Sequence, residues 1–219
     1  MLVLGLTGAM GCGKSTVAAM MVELGGKLLD SDALARQALA PGSPGLVRTV
    51  DLFGPEILTV AGHLDRRRLG AALGTDPVRW RRLEAVVHPE VRRLQARFLE
   101  DWSRSGQPRT LVILDEPLLL ETDGAGLCDR VVVVVCGQRQ MTRLEARGTM
   151  DPAVRKAAMD RQLPEREKCR RADEVIDNSR GLDDTRLQVQ SLWTRLACQL
   201  GRLEQSTWPR CWGPYRPFG

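Results

Sequence analysis

The chain has 219 residues, 43% hydrophobic and 27% charged, with a formal net charge of +5. That balance builds one or two packed domains and excludes an extended disordered chain. Apolar runs such as residues 131–136 reach only six, far short of the roughly 18 of a membrane span. The opening residues, Met1 to Leu6, carry no basic segment and so no secretory pattern. Six cysteines, at 12, 128, 136, 169, 198 and 211, form no C-x-x-C pair. Their scatter argues against a disulfide framework or zinc site and fits a reducing cytoplasm.

In chain order, residues 3–6 read as a strand closed by a glycine loop. Val17, Met20, Met21 and Leu24 then line an amphipathic helix stopped by Gly25-Gly26, and residues 27–30 form a second strand. Strand, helix and strand within about 30 residues make a βαβ unit, which requires parallel strands. From Ser31 to Ser105 no strand pattern occurs, so this stretch is a helical insertion. Asp76-Pro77 starts a helix there, and His88-Pro89 is expected to end it before a second one carrying Val91, Leu94, Phe98 and Trp102. Residues 110–114 and 131–136 are apolar runs typical of strands covered on both faces. Helices follow at 138–147 (ending at Gly148), from Asp151-Pro152 to 162, and at 165–172. A last strand at 174–176 precedes a closing helix lined by Val189, Leu192, Trp193, Leu196 and Leu200. The tail from 205 to 219 lacks periodicity and reads as loose. The fold class is α/β: a parallel sheet of about five strands, flanked by helices, with helical inserts.

Gly8-Ala9-Met10-Gly11-Cys12-Gly13-Lys14-Ser15 fits G-x-x-x-x-G-K-[ST] at every fixed position. Glycines let backbone N–H groups turn inward around phosphate oxygens, and the following helix N-terminus adds partial positive charge. Lys14 reaches the β- and γ-phosphates, and the Ser15 hydroxyl completes a magnesium shell. Gly8, Met10, Gly11, Cys12, Gly13, Lys14, Ser15 and Thr16 are therefore the candidate residues for binding a nucleotide such as ATP.

Asp30 and Asp32 close the second strand, where alternation sends both side chains one way. Either could take a proton from an attacking hydroxyl or hold magnesium; the plainer reading makes Asp32 an N-cap. Asp115, at the end of an apolar run, is a Walker-B-like carboxylate with Glu116 as rival. Residues 117–121 leave the carboxyl edge of the sheet, where α/β proteins bind ligands. Arg143 and Arg147 share a helix face and suit a lid over the γ-phosphate, or else pair with Glu145 or Asp151 on the surface. His88, beside a proline, reads as a structural or ligand contact more readily than as an acid or base.

Only four lysines (14, 27, 156 and 168) stand among the 32 basic residues, so nearly all the positive charge is arginine. Clusters at 66–68, 79–82, 92–97 and 166–171 suit a polyphosphorylated small molecule or nucleic acid; solvated helix faces paired with Asp and Glu are the plainer account.

Together these residues resemble the dephospho-coenzyme A kinase family over residues 3–200. Gly5-Leu6-Thr7-Gly8 into Gly11-Cys12-Gly13-Lys14-Ser15-Thr16, and Asp30-Ser31-Asp32 with Ala35-Arg36, resemble its opening motifs. Phe53-Gly54, Leu64-Asp65-Arg66, Val87-His88-Pro89 and Pro117-Leu118-Leu119-Leu120-Glu121 follow in the family's order. Gln140, Arg143, Arg147, Gln162 and the run from Ala172 to Asn178 complete it. The resemblance implies transfer of the ATP γ-phosphoryl group to the 3′-hydroxyl of dephospho-CoA, the last step of coenzyme A synthesis, with Mg²⁺. It implies Lys14, Asp32 and Arg143 as catalytic residues, Asp32 being base or hydroxyl-orienting group. Arg66, His88, Pro117, Leu118, Leu119 and Glu121 would join Asp32 in binding the acceptor; Arg147 and Asn178 would serve ATP. The kinase-like domain would span 1–204, with the acceptor insert at about 60–105 and the lid at about 143–172. ATP and dephospho-CoA are the implied partners, with no membrane and no nucleic acid. This chain departs from the family pattern at Ala9, Met10, Cys12, Glu116 and Leu120. A P-loop kinase for another hydroxyl acceptor, or a non-catalytic nucleotide-binding regulator, remains the alternative.

Overall fold

The computed structural model describes residues 1–74, 76–104, 110–147 and 152–202. The chain divides into two compact units: residues 1–29 with 102 onward, and residues 30–101.

The first unit is built on five strands: β1 (Leu2–Gly8), β2 (Lys27–Asp30), β3 (Leu111–Asp115), β4 (Arg130–Val135) and β5 (Glu174–Asp177). Their order is β2-β3-β1-β4-β5, and β1 pairs in parallel with β3 and β4, as β4 does with β5. All seven residues of β1 are buried, as a central strand covered on both faces must be. The helix α1 (Lys14–Glu23) follows the glycine loop and buries Val17, Ala18, Met20 and Met21. Leu24, expected on that stripe, is instead the C-cap residue and lies exposed, and Gly25 turns the chain away at φ 104°. The long helix α9 (Leu182–Arg202) buries Val189, Leu192, Leu196 and Leu200, with Trp193 packed alongside, as its periodicity predicts. Burying a side chain of that size contributes roughly 1.5–3 kcal/mol, so this stripe joins the helix to the same core as α1 and the sheet.

Three helices, α6 (Arg139–Arg147), α7 (Pro152–Asp160) and α8 (Glu165–Arg171), lie between β4 and β5. The expected stop at Gly148, the Asp151 cap and the tail at 205–219 lie outside the described residues.

The unit 30–101 contains α2 (Ser31–Ala38), α3 (Pro44–Phe53), α4 (Arg66–Leu73) and the start of α5 (Pro77–Arg104). A single antiparallel bridge, Leu58 to Leu64, is the β structure described within it. Ile57, Leu69, Leu73 and Leu83 form its own small core, with Phe53 and Trp80 packed against them. The break expected at His88-Pro89 does not occur: α5 runs through Pro89 for 28 residues. An interior proline costs about 3 kcal/mol, but Leu83, Val91, Leu94 and Leu99 stay buried on both sides of it. Several such burials together outweigh one missing hydrogen bond.

Asp30 corrects a second expectation. Its carboxylate accepts the backbone N–H groups of Asp32 (2.8 Å) and Ala33 (3.1 Å), so Asp30 is the N-cap of α2. Asp32 is already helical, and strand alternation does not extend to it. The cap role is thus taken by the first aspartate, and Asp32 stands exposed in the first helical turn.

Candidate active site

The loop after β1 is shaped by close approach as much as by its own sequence. A Cβ on Gly8 would come within 2.5 Å of the Val134 carbonyl oxygen and 2.7 Å of the Cys12 sulfur. Gly13 sits at φ 89° as the N-cap of α1, and a Cβ there would collide with the Asn178 amide. Both positions therefore admit only glycine. Lys14 and Ser15 open α1 directly after this turn, placing the helix N-terminus and its unpaired N–H groups at the loop.

Sheet register brings the supporting groups to it. Leu6 pairs with Asp115, Gly8 with Val134, and Val134 with Ile176. The ends of β1, β3, β4 and β5 thus meet on one edge, the ligand-binding edge of parallel α/β sheets. Asp115 forms an ion pair with Lys14 there, both largely buried. Glu116, its rival from sequence, is buried and accepts the Thr122 hydroxyl at 3.1 Å. The carboxylate that faces the phosphate-loop lysine is therefore Asp115.

Residues from the last third of the chain clamp the loop. Met10 donates its N–H to Gln162 Oε1 (2.9 Å) and accepts from Gln140 Nε2 (2.8 Å) through its carbonyl. Arg143 donates Nη1 to the Cys12 carbonyl (3.2 Å) and Nη2 to the Asn178 carbonyl (3.0 Å). Neither surface partner expected for Arg143 is involved in these bonds. Asn178 is buried and uses both ends of its amide, donating to the Cys12 carbonyl (2.8 Å) and accepting the Thr185 hydroxyl (2.9 Å). It supports the loop from behind. The side chain of Arg147 lies outside the described residues, although its backbone ends α6.

Cys12 is buried, and burial pushes its thiol up to about 11. Cys136, whose thiol points to the Gly11 carbonyl at 3.8 Å, is raised for the same reason. Both therefore stay protonated at neutral pH and pack as small apolar groups.

The segment 117–121 is held at three points. The Pro117 carbonyl accepts from Thr7 Oγ1 (3.1 Å), Gln162 Nε2 (3.5 Å) and Lys168 Nζ (3.1 Å). Glu121 Oε1 accepts the Leu163 N–H (2.7 Å) and pairs with Lys168 at 2.8 Å. Leu119 is fully buried, and it would lie 2.5 Å from a Cβ on Gly5, so it props the segment against β1. Pro117 and Leu118 are half-buried. In the other unit Asp32, Arg66 and His88 are all exposed, on α2, α4 and α5. Lys168 escaped the sequence reading because α8 shows no apolar face; the usable signal was a lone lysine in a segment otherwise rich in arginine.

Among the described residues no group of three or more His, Cys, Asp or Glu side chains is placed to hold a metal ion. A dedicated protein cage is not what magnesium needs, because it keeps waters and binds through one or two protein oxygens plus substrate phosphates. The exposed Ser15 hydroxyl at the start of α1 and the Asp115 carboxylate beside Lys14 form such a hard-oxygen donor set. Nor is any described helix long and apolar enough to cross a membrane.

The comparisons with known proteins agree with this geometry. The family model for dephospho-CoA kinase matches residues 2–184. A curated dephospho-CoA kinase of Symbiobacterium thermophilum is 43% identical over 90% of this chain and 82% of its own. One of Syntrophotalea carbinolica is 42% identical over 90% of this chain and 92% of its own. A crystal structure from Thermus thermophilus, TT1252, superposes with a TM-score of 0.73 at 37% identity, covering 89% of this chain and 97% of that one. The match runs through the phosphate loop, the clamping residues behind it and the helical unit alike, and the chain belongs to the dephospho-CoA kinase family.

Proposed function

We propose that this chain is an ATP-dependent kinase that moves the γ-phosphoryl group of ATP to the 3′-hydroxyl of dephospho-CoA, the final step of coenzyme A synthesis. The observation that carries the reading is the Lys14–Asp115 pair at the mouth of a complete phosphate loop, in a chain of this family. Phosphoryl transfer asks little covalent chemistry of a protein; it asks for positioning and for positive charge on the transferring oxygens. The backbone N–H groups of Gly11, Gly13, Lys14 and Ser15 bind phosphate oxygens, those of Cys12 and Thr16 donating instead to the Ala9 and Gly13 carbonyls (3.1 and 3.0 Å), and Lys14 leaves Asp115 to engage the β- and γ-phosphates. Ser15 and Asp115 would hold magnesium, which when bound supplies charge neutralisation across the phosphates. Arg143 and Arg147 add charge from α6, the first helix of the lid at 143–172, and Asn178 keeps the loop in shape for ATP.

For the acceptor, Asp32 orients the attacking hydroxyl and takes its proton. Arg66 and His88 contact the acceptor's polar groups from the helical insert, and the segment after β3 meets it through Pro117 and Leu118, held in place from within by Leu119 and Glu121. The catalytic domain spans 1–204, and the protein works in the cytoplasm. The reading is tested by following ADP release with Mg·ATP and each of dephospho-CoA, AMP, adenosine and water as acceptor. Dephospho-CoA should stimulate ADP release far beyond the other three. Equal or greater stimulation by AMP or adenosine would reject the acceptor, and release independent of any acceptor would reject the kinase reading.

A further inference from the structure

Lys168 is fully buried, the largest such side chain among the described residues, on a helix whose other side chains are half-buried or exposed. Its ammonium is shared between the Glu121 carboxylate (2.8 Å) and the Pro117 carbonyl (3.1 Å), the two ends of the segment 117–121. No apolar side chain could hold both points. A buried ion pair contributes little net stability compared with apolar side chains of the same volume, so stability alone does not account for a lysine here. What the ammonium supplies is geometry: one fixed cation spans a five-residue loop and sets the distance between its ends.

The same loop is tied to the phosphate loop. The Pro117 carbonyl also accepts from Thr7, one residue before Gly8, and from Gln162, whose other amide atom accepts the Met10 N–H. A second anchor from α8, Arg171 Nη1 to the Leu120 carbonyl at 3.5 Å, lies one turn further along. Glu121 Oε2 is buried and has no hydrogen-bond partner among the described residues. The carboxylate is therefore fixed in place through Oε1, by Lys168 and the Leu163 N–H.

We propose that Lys168 is a positioning residue for acceptor binding, acting through Pro117 and Glu121 to hold segment 117–121 in register with the phosphate loop. This rests on the reading above that the segment contacts dephospho-CoA. Because Lys168 acts through that segment, its loss should weaken acceptor binding and leave ATP binding nearly intact.

The test uses the full chain with Lys168→Met and Lys168→Gln. Folding is checked by thermal melting, affinity for a non-hydrolysable ATP analogue by calorimetry, and kcat and KM for dephospho-CoA by coenzyme A formation. In Lys168→Met the acceptor KM should rise at least tenfold while the analogue's affinity changes less than threefold. Lys168→Gln, whose amide still donates to the Pro117 carbonyl, should fall between that variant and the wild type. A folded variant with unchanged acceptor KM and kcat overturns the proposal. So do parallel losses in ATP and acceptor binding, or failure of both variants to fold, because each makes the lysine a purely structural group. A wild-type chain that forms no coenzyme A would instead reject the acceptor reading itself.

Discussion

In the helical unit, polar contacts at helix starts close within a few residues. Asp30, Ser43 and Asp65 each accept backbone N–H groups two or three positions onward. Around the phosphate loop the partners come from far away: Asp115 lies 101 residues from Lys14, Gln140 130 and Gln162 152 from Met10, and Asn178 166 from Cys12. The local caps can form as soon as their segment does. The loop acquires its partners only when the sheet is complete, after long loops have been closed at an entropic cost. Substitutions distant in sequence should therefore act on nucleotide chemistry, whereas substitutions at the insert's caps should act on stability alone.

The largest effects are expected at the two side chains that act on the transferring group and the acceptor. Lys14→Ala should reduce kcat by roughly the 10³–10⁵ that a cation on the transferring phosphoryl group contributes, measured as ADP release at saturating substrates; near-normal turnover would remove Lys14 from the mechanism. Asp32→Asn should lower kcat by roughly 10²–10⁴ with ATP affinity retained. Were ATP affinity to fall instead with kcat kept, Asp32 would belong to the nucleotide and not to the acceptor.

A reactivity measurement sharpens the picture of the loop's interior. With its thiol raised from 9.0 to about 11 by burial, folded Cys12 should carry about a hundredfold less thiolate at pH 8 than an ordinary cysteine. Alkylation mapped by mass spectrometry should find Cys12 protected in the folded protein and labelled on unfolding; rapid labelling of the native chain would contradict its burial. The sign for stability follows the same shift. Holding the proton favours the folded state below about pH 9, and that contribution is lost as pH rises from 9 toward 11.

Smaller effects separate the two regions. Asn178→Ala removes two buried hydrogen bonds, although Arg143 still donates to the Cys12 carbonyl and the Thr185 hydroxyl still reaches the Gly181 carbonyl. It should cost about 1–3 kcal/mol in denaturant melts and weaken ATP binding as well; stability loss with ATP affinity unchanged would detach Asn178 from the loop's function. Ser43→Ala removes the cap of α3 and should cost about 1 kcal/mol with both KM values within twofold of wild type. A large kinetic change there would erase the distinction between the regions.

The same contrast explains what could be read before the fold was known. Local chemistry was legible: the phosphate loop, the strands at 111–115 and 130–135, and the stripe on α9 all follow from spacing within one segment. Pro89 misled because the local backbone penalty is visible in sequence and the burial that overrides it is not. Spacing favours Asp32 as the cap, but α2 starts two residues earlier on Asp30, because a helix start depends on which carboxylate the backbone meets first. Lys168 and the roles of Gln162 and Asn178 behind the loop need the β4–β5 register before they have any neighbours at all.

A single turnover with γ-labelled ATP reads out transfer to a hydroxyl of dephospho-CoA. Enzyme in excess over labelled Mg·ATP, with saturating dephospho-CoA, should place nearly all the label on the ribose 3′-oxygen of coenzyme A and almost none in inorganic phosphate. Label appearing mainly as inorganic phosphate, or on another position of the acceptor, would contradict the account.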